Sequence, residues 1–204
     1  MTVDFRYDSD MVGGSLMVRE SRLIADLLIK NVNTEEWNQA IRSDNILQKR
    51  TPAAAIRNAQ AIRKRLELLE PEFWQALRDG DDELATQVSL CAALERNLLL
   101  VEFMETVVAD AYTTRMEALD YFHWSDFLDE RSHRDASIAS WKESSKKKMG
   151  QVAFRMLAEA GYLKSTRNPM LQRVLIRPEI IAMLNNTYRT RIARCLTVSI
   201  GATA

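Results

Sequence analysis

Apolar residues recur along this chain at intervals of three and four, and the stretch around Met149 shows the pattern most plainly. Met149, Val152, Ala153, Met156, Leu157 and Ala160 fall on one side of a helical wheel, with Ser144, Lys147, Lys148, Gln151 and Arg155 opposite. Gly161 stands where the helix must stop, since glycine takes the left-handed position after a helix at little cost. Two short β-prone runs follow, Tyr162-Leu163-Lys164 and Arg173-Val174-Leu175-Ile176, separated by a turn-rich loop with Arg167, Asn168 and Pro169. Helix, glycine stop and basic hairpin form the outline of a winged helix, in which one helix enters the DNA major groove and the hairpin touches the flanking backbone.

The same periodicity predicts helices over most of the remaining chain. A helix over about 15–30 follows the Gly13-Gly14 pair, which reads as a turn because no strand or Lys-Ser/Thr completes a phosphate loop. Thr34 is the expected N-cap of a helix holding Trp37, Ala40 and Ile41. Thr51-Pro52 opens a longer one, with Ala55, Ala59, Ile62, Leu66 and Leu69 inward and Arg57, Gln60 and Lys64 outward. These three helices fit a helix-turn-helix-like unit, and a plain three-helix bundle with a wet basic face has the same pattern. A short helix begins at Pro71, and an apolar period runs from Leu84 through Val88, Cys91, Leu94, Leu98, Val101 and Met104 to Val108, as two helices. Ser125 is a plausible N-cap after His123 and Trp124, residues 131–140 read as a linker, and Pro178 starts a helix that a final one over 188–196 follows. Residues 1–12 and the tail from Gly201 to Ala204 are expected to be extended or disordered.

The expected fold class is therefore mainly α. A helical, helix-turn-helix-like N-terminal and central bundle covers 1–120, and a winged-helix-like domain with a small β-hairpin covers 121–204.

Charge changes this picture more than composition does. The 204 residues carry 28 basic and 28 acidic side chains, a balance that by itself argues against a nucleic-acid partner. The balance conceals segregation: Arg42–Leu66 has net charge +6, Glu67–Ala139 has −12 and Ser140–Arg177 has +7. Helix faces of opposite sign that neutralise one another are one reading of these blocks. The basic helix argues for another. Lysine faces usually alternate with glutamate, gaining about 0.2–0.5 kcal/mol per i,i+4 pair, and this face forgoes that gain. Lys146, Lys147 and Lys148 also stand early in the helix, where cations oppose its dipole. Such a face suits an anionic partner. Gln151 and Arg155 lie one turn apart, within reach of base edges, and the lysines suit phosphates.

Candidate DNA contacts are accordingly Ser144, Lys146, Lys147, Lys148, Gln151 and Arg155 on the helix, Lys164, Arg167 and Arg173 on the wing, and Lys49, Arg50, Arg57 and Lys64 in the first basic block. Double-stranded DNA is the expected partner, bound mainly through phosphates with little sequence preference. An assembly subunit whose basic faces dock acidic proteins has the same charge pattern. A transcriptional regulator would need a symmetric dimer, and no heptad zipper supports one.

Catalytic chemistry has no signature here: there is no nucleophile elbow, glycine-rich phosphate loop or CxxC pair. His123 and His133 lack zinc-ligand spacing, and Asp79-Gly80-Asp81-Asp82 lacks the closing glutamate of a calcium loop. Neither an enzyme, a cofactor, a metal nor a small-molecule substrate is expected. Cys91 and Cys195 read as buried reduced thiols of a cytoplasmic protein, and no apolar run reaches the roughly 18 residues of a membrane span.

Several motifs together carry a family resemblance. They are Gly13-Gly14-Ser15-Leu16 with Glu20-Ser21-Arg22, Asn45-Ile46-Leu47-Gln48-Lys49-Arg50-Thr51, and Ser144-Ser145-Lys146-Lys147-Lys148 leading into Val152–Leu157 and Glu159-Ala160-Gly161-Tyr162-Leu163. Over nearly its whole length the chain resembles the BrxA family, the small A component of BREX bacteriophage-exclusion systems. The resemblance implies a small, helical, cytoplasmic, non-enzymatic member of a multi-protein phage-defence complex with DNA-binding capacity, and other BREX proteins as partners.

Overall fold

The computed structural model describes residues 6–8, 11 and 14–201. Most of residues 1–12, Gly13 of the glycine pair and the last three residues of the expected tail lie outside the described residues.

The chain divides into two compact units, each assembled from separate stretches. The first comprises 16–96 and 177–187, and the second the N-terminal stretch to Ser15, 97–176 and 188 onward. The expected 121–204 segment thus contributes to both.

The first unit contains α1 (Val18–Ile29), α2 (Thr34–Asn38), α3 (Pro52–Leu66), α4 (Pro71–Asp79), α5 (Asp82–Arg96) and α10 (Pro178–Asn186). Asn33, rather than Thr34, caps α2: its side chain accepts from the amides of Glu35 and Glu36, and Glu36 returns a bond to the Asn33 amide at 2.9 Å. The helix then continues as a π-helical turn, Gln39–Ser43. Thr51 caps α3 by accepting from Ala54, with proline at the first helical position. The expected inward set Ala55, Ala59, Ile62, Leu66 and Leu69 is buried. α1 packs on α3, α4 and α5, and α10 on α5. Gln87 of α5 accepts from the Arg177 amide at 2.9 Å, and the Arg177 guanidinium holds Asp81 at 2.7 Å, which fixes α10 at its start.

The second unit contains α6 (Leu98–Phe103), α7 (Ala109–Thr113), α8 (Tyr121–Ser132), α9 (Glu143–Glu159) and α11 (Thr190–Thr197). Asn97 caps α6 and a π-helical turn, Met104–Val108, joins it to α7. Phe103 is the centre of the aromatic core, edge-on to Trp124 at 5.0 Å and to Phe127 at 5.4 Å. The expected linker carries a 3-10 turn, Ala136–Ser140, and buries Asp135 and Ile138. Asp135 accepts from the Tyr7 and Ser137 amides.

The winged helix is the expectation this structure overturns. The described residues contain no β-strand; two isolated antiparallel bridges, Leu163 with Leu171 and Ala118 with Met170, stand in place of the hairpin. The reason lies in competition for backbone groups. The 162–164 run bonds residues just before the second run instead, Lys164 N–H to the Met170 carbonyl and Gln172 N–H to the Tyr162 carbonyl, both 2.9 Å. The ladder stops there because Ser199 takes both groups of Val174, accepting from its amide at 3.0 Å and donating to its carbonyl at 3.1 Å. The Tyr112 hydroxyl donates to the Gln172 carbonyl at 2.5 Å. β-propensity at Val174-Leu175-Ile176 is thus overridden by a side chain from the turn that follows α11 (Thr190–Thr197). The mainly helical character stands.

No single helix among the described residues is long and apolar enough to cross a membrane.

Candidate nucleic-acid interface

Seventeen residues form α9, and its two faces are those of the helical wheel. Met149, Val152, Ala153, Met156 and Leu157 are buried, joined by Gly150 and Phe154. Ser144, Lys147, Lys148, Gln151 and Arg155 are exposed. Gly161 has φ +84°, the left-handed conformation expected just beyond the helix end.

The five exposed side chains have no hydrogen-bond or ion-pair partner among the described residues. Carboxylates stand only at the two ends of the helix, Glu143 and Glu159. Lys146 differs from its neighbours: it is half-buried and bonds Glu143 at 2.8 Å, which compensates one of the three early lysines. Lys147 and Lys148 retain their unfavourable position near the positive end of the helix dipole.

Lys164, Arg167 and Arg173 are exposed on the loop after α9, with no side-chain partner among the described residues. Ser165 shapes the loop tip by accepting from the Asn168 amide at 3.0 Å.

The remaining four candidates belong to the first unit. Arg57 and Lys64 project from the exposed side of α3, and exposed Arg50 precedes its cap. Lys49 is engaged: its ammonium bonds Glu20 at 2.7 Å with both side chains largely covered. Burial pushes the Glu20 carboxyl up, but the Lys49 hydrogen bond and charge bring it below the usual glutamate value. Arg63, not among the candidates, is held by Glu67 at 2.6 Å and covers the Trp37 ring at 4.7 Å.

A groove of about 690 Å³ lies in the second unit between α8 and α9. Tyr121, Phe122, Ser125 and Asp129 line one wall, and Ser144, Lys147 and Gln151 line the other. Gly150 admits the closeness of the two helices: a Cβ there would lie 2.6 Å from Trp124 Cδ1. The Trp124 indole N–H donates to the Lys146 carbonyl at 3.1 Å. Sequence periodicity does not find this groove. The aromatic run Tyr121-Phe122-His123-Trp124 is its signal, but the helix begins five residues earlier than a cap at Ser125 implies. Asp120 is the cap, accepting from the Phe122 amide while the His123 ring bonds the Asp120 amide.

Among the described residues no cluster of His, Cys, Asp and Glu is arranged to hold a metal ion. Cys91 and Cys195 are both free thiols in buried positions.

Comparison with known proteins places these features in a family context. The family model described as BrxA matches residues 5–187. A "BREX protein BrxA" of Paramagnetospirillum magneticum is 35% identical over 195 residues, covering 96% of this chain and 98% of the relative. Another of that name from Escherichia coli is 34% identical, over 89% of this chain and 85% of the relative. A third, from Bacillus cereus, is 26% identical over 86% and 88%. A crystal structure of an uncharacterized protein from Magnetospirillum magneticum superposes with a TM-score of 0.87 at 34% identity, over 96% of this chain and all of the other.

Proposed function

This chain belongs to the BrxA family of BREX phage-defence components, and from that premise we propose that it is a non-enzymatic subunit binding double-stranded DNA, mainly through phosphates. The observation that carries the reading is the exposed face of α9, where Ser144, Lys147, Lys148, Gln151 and Arg155 stand without partners among the described residues. Leaving cations unpaired near the positive end of a helix is unfavourable in the isolated protein, and a polyanion offsets that cost. Lys147 and Lys148 suit phosphate, while Gln151 and Arg155 have the donors to meet base edges. Arg167 and Arg173 on the following loop, and Arg50, Arg57 and Lys64 in the first unit, extend the supply of cations unpaired among the described residues. In a BREX assembly such a subunit would help hold its partner proteins on DNA.

The test is duplex affinity by fluorescence anisotropy across a salt series with two unrelated sequences. A linear fall of log affinity with log salt, with a slope equivalent to roughly 4–8 phosphates and nearly equal affinities for both sequences, supports the reading. A strong preference for one sequence points instead to a regulator. Absence of binding at low salt overturns DNA binding and leaves an assembly subunit docking acidic protein surfaces.

A further inference from the structure

The groove between α8 and α9 shares three residues, Ser144, Lys147 and Gln151, with the exposed face of α9. Its other wall is aromatic. Phe122 is 55% exposed and Tyr121 40%, at the start of a helix whose other aromatic rings, Trp124 and Phe127, are buried. Each ring is braced from behind: Tyr121 stacks on Phe154 with centroids 4.3 Å apart, and Phe122 on His123 at 4.1 Å. Braced rings offer a flat face at little further loss of rotamer freedom. The groove charge is sorted as well. Glu143 is neutralised by Lys146, Asp129 stands on the α8 wall, and Lys147 is left unpaired among the described residues on the α9 wall.

We propose that this groove receives an unpaired nucleobase, stacked on the Tyr121–Phe122 lip, from a DNA strand whose phosphate lies against Lys147. The proposal rests on the reading of α9 as the DNA-contacting helix. A volume of 690 Å³ is in the range of small-ligand sites, which combine apolar walls with a few placed polar groups. Ser144 and Gln151 supply donors and acceptors for a base edge, and stacking on an aromatic ring is tolerant of base identity. The bases of an intact duplex are stacked inside and out of reach of such a wall. The substrate class is therefore DNA with a locally opened strand: a bubble, a gap or an extruded nucleotide.

The experiment compares a fluorescein-labelled duplex with the same duplex carrying a short central bubble, on the full chain and on its Phe122→Ala and Phe122→Trp variants. Phe122 is exposed, so neither change threatens the core. The bubble is expected to bind about tenfold more tightly than the paired duplex. Phe122→Ala should abolish that preference and leave paired-duplex affinity unchanged, and Phe122→Trp should keep it. Equal affinity of the unaltered protein for bubble and duplex overturns the proposal while leaving duplex binding intact. So does a preference that survives Phe122→Ala. Displacement of the bubble by poly-L-glutamate as readily as by competitor DNA assigns the groove to an acidic protein segment instead. No binding to either DNA removes the underlying reading, and the proposal with it.

Discussion

The hydroxyl of Tyr7 donates to Oε2 of Glu102 at 2.8 Å, joining a residue near the N-terminus to a carboxylate only 6% exposed. Arg131 bonds the same oxygen at 2.5 Å and Arg134 the other at 3.1 Å, so the buried charge is fully paired. Tyr7→Phe removes one donor of three and is expected to cost about 1 kcal/mol in urea unfolding. Glu102→Leu leaves two guanidiniums facing an apolar group and should cost more, about 3 kcal/mol. Reversal of that order would show that the tyrosine, not the ion pairs, holds the site.

The closeness of α8 and α9 rests on Gly150. Gly150→Ala puts a methyl 2.6 Å from Trp124 Cδ1, and overpacking of this kind costs about 1–3 kcal/mol. A shift in tryptophan fluorescence should accompany the loss, because the indole must move from its buried position. Gly161→Ala, by contrast, meets nothing closer than Val174 Cγ2 at 3.7 Å, so its cost, about 1 kcal/mol, comes from the positive φ alone.

Charge reversal on α9 separates binding from folding. Lys147→Glu with Arg155→Glu is expected to lower duplex affinity by at least tenfold at low salt while moving Tm by less than a few degrees, since neither side chain is buried. A variant that melts early would show that this face is not solvent-facing.

Alkaline pH should weaken the second unit. Burial pushes the Cys195 thiol from 9.0 up to about 12, with Glu105 adding to it, and burial pushes the Tyr112 hydroxyl from 10.0 up to about 12. Both groups hold their protons more tightly when folded. Their contributions are complete below pH 9 and pH 10 respectively, and are lost as pH rises toward 12. Cys195→Ala is expected to flatten the decline that begins near pH 9; an unchanged curve would show that the thiol is not the group responsible.

The Arg191–Glu105 pair makes stability fall at acid pH. Two bonds from Arg191, at 2.6 and 2.9 Å, hold the Glu105 carboxyl below its usual 4.5 although burial opposes them. The contribution is present above pH 4.5 and disappears as pH falls through the lower folded value. Arg191 is half-exposed, so Arg191→Gln should cost less than 1 kcal/mol at neutral pH and make the acid limb shallower.

Periodicity made α9 legible because its buried and exposed residues are determined within one helix. The groove was not legible, because two caps competed for the start of α8. Ser125 has the right side chain, but Asp120 has the reciprocal partner in His123. The hairpin failed for a different reason. Val174-Leu175-Ile176 has the composition of a strand, yet Ser199, 25 residues away, occupies the Val174 backbone. Likewise Pro178 announced α10, while the bond that assigns α10 to the first unit, from Arg177 to Gln87, spans 90 residues. Local signals decide where elements form; which backbone groups they compete for is settled by residues far along the chain.

The placement of α10 also sets an order of events at the ribosome. Residues 16–96 emerge first but lack the helix that covers α5, and 97–176 emerge next but lack α11. At roughly 5–20 residues per second, the nascent first unit waits several seconds with part of α5 uncovered until α10 is made. Both units then close almost together, because α10 and α11 follow one another directly in the chain. A premature stop after Ile176 would therefore not leave one finished unit and one missing unit, but two unfinished ones.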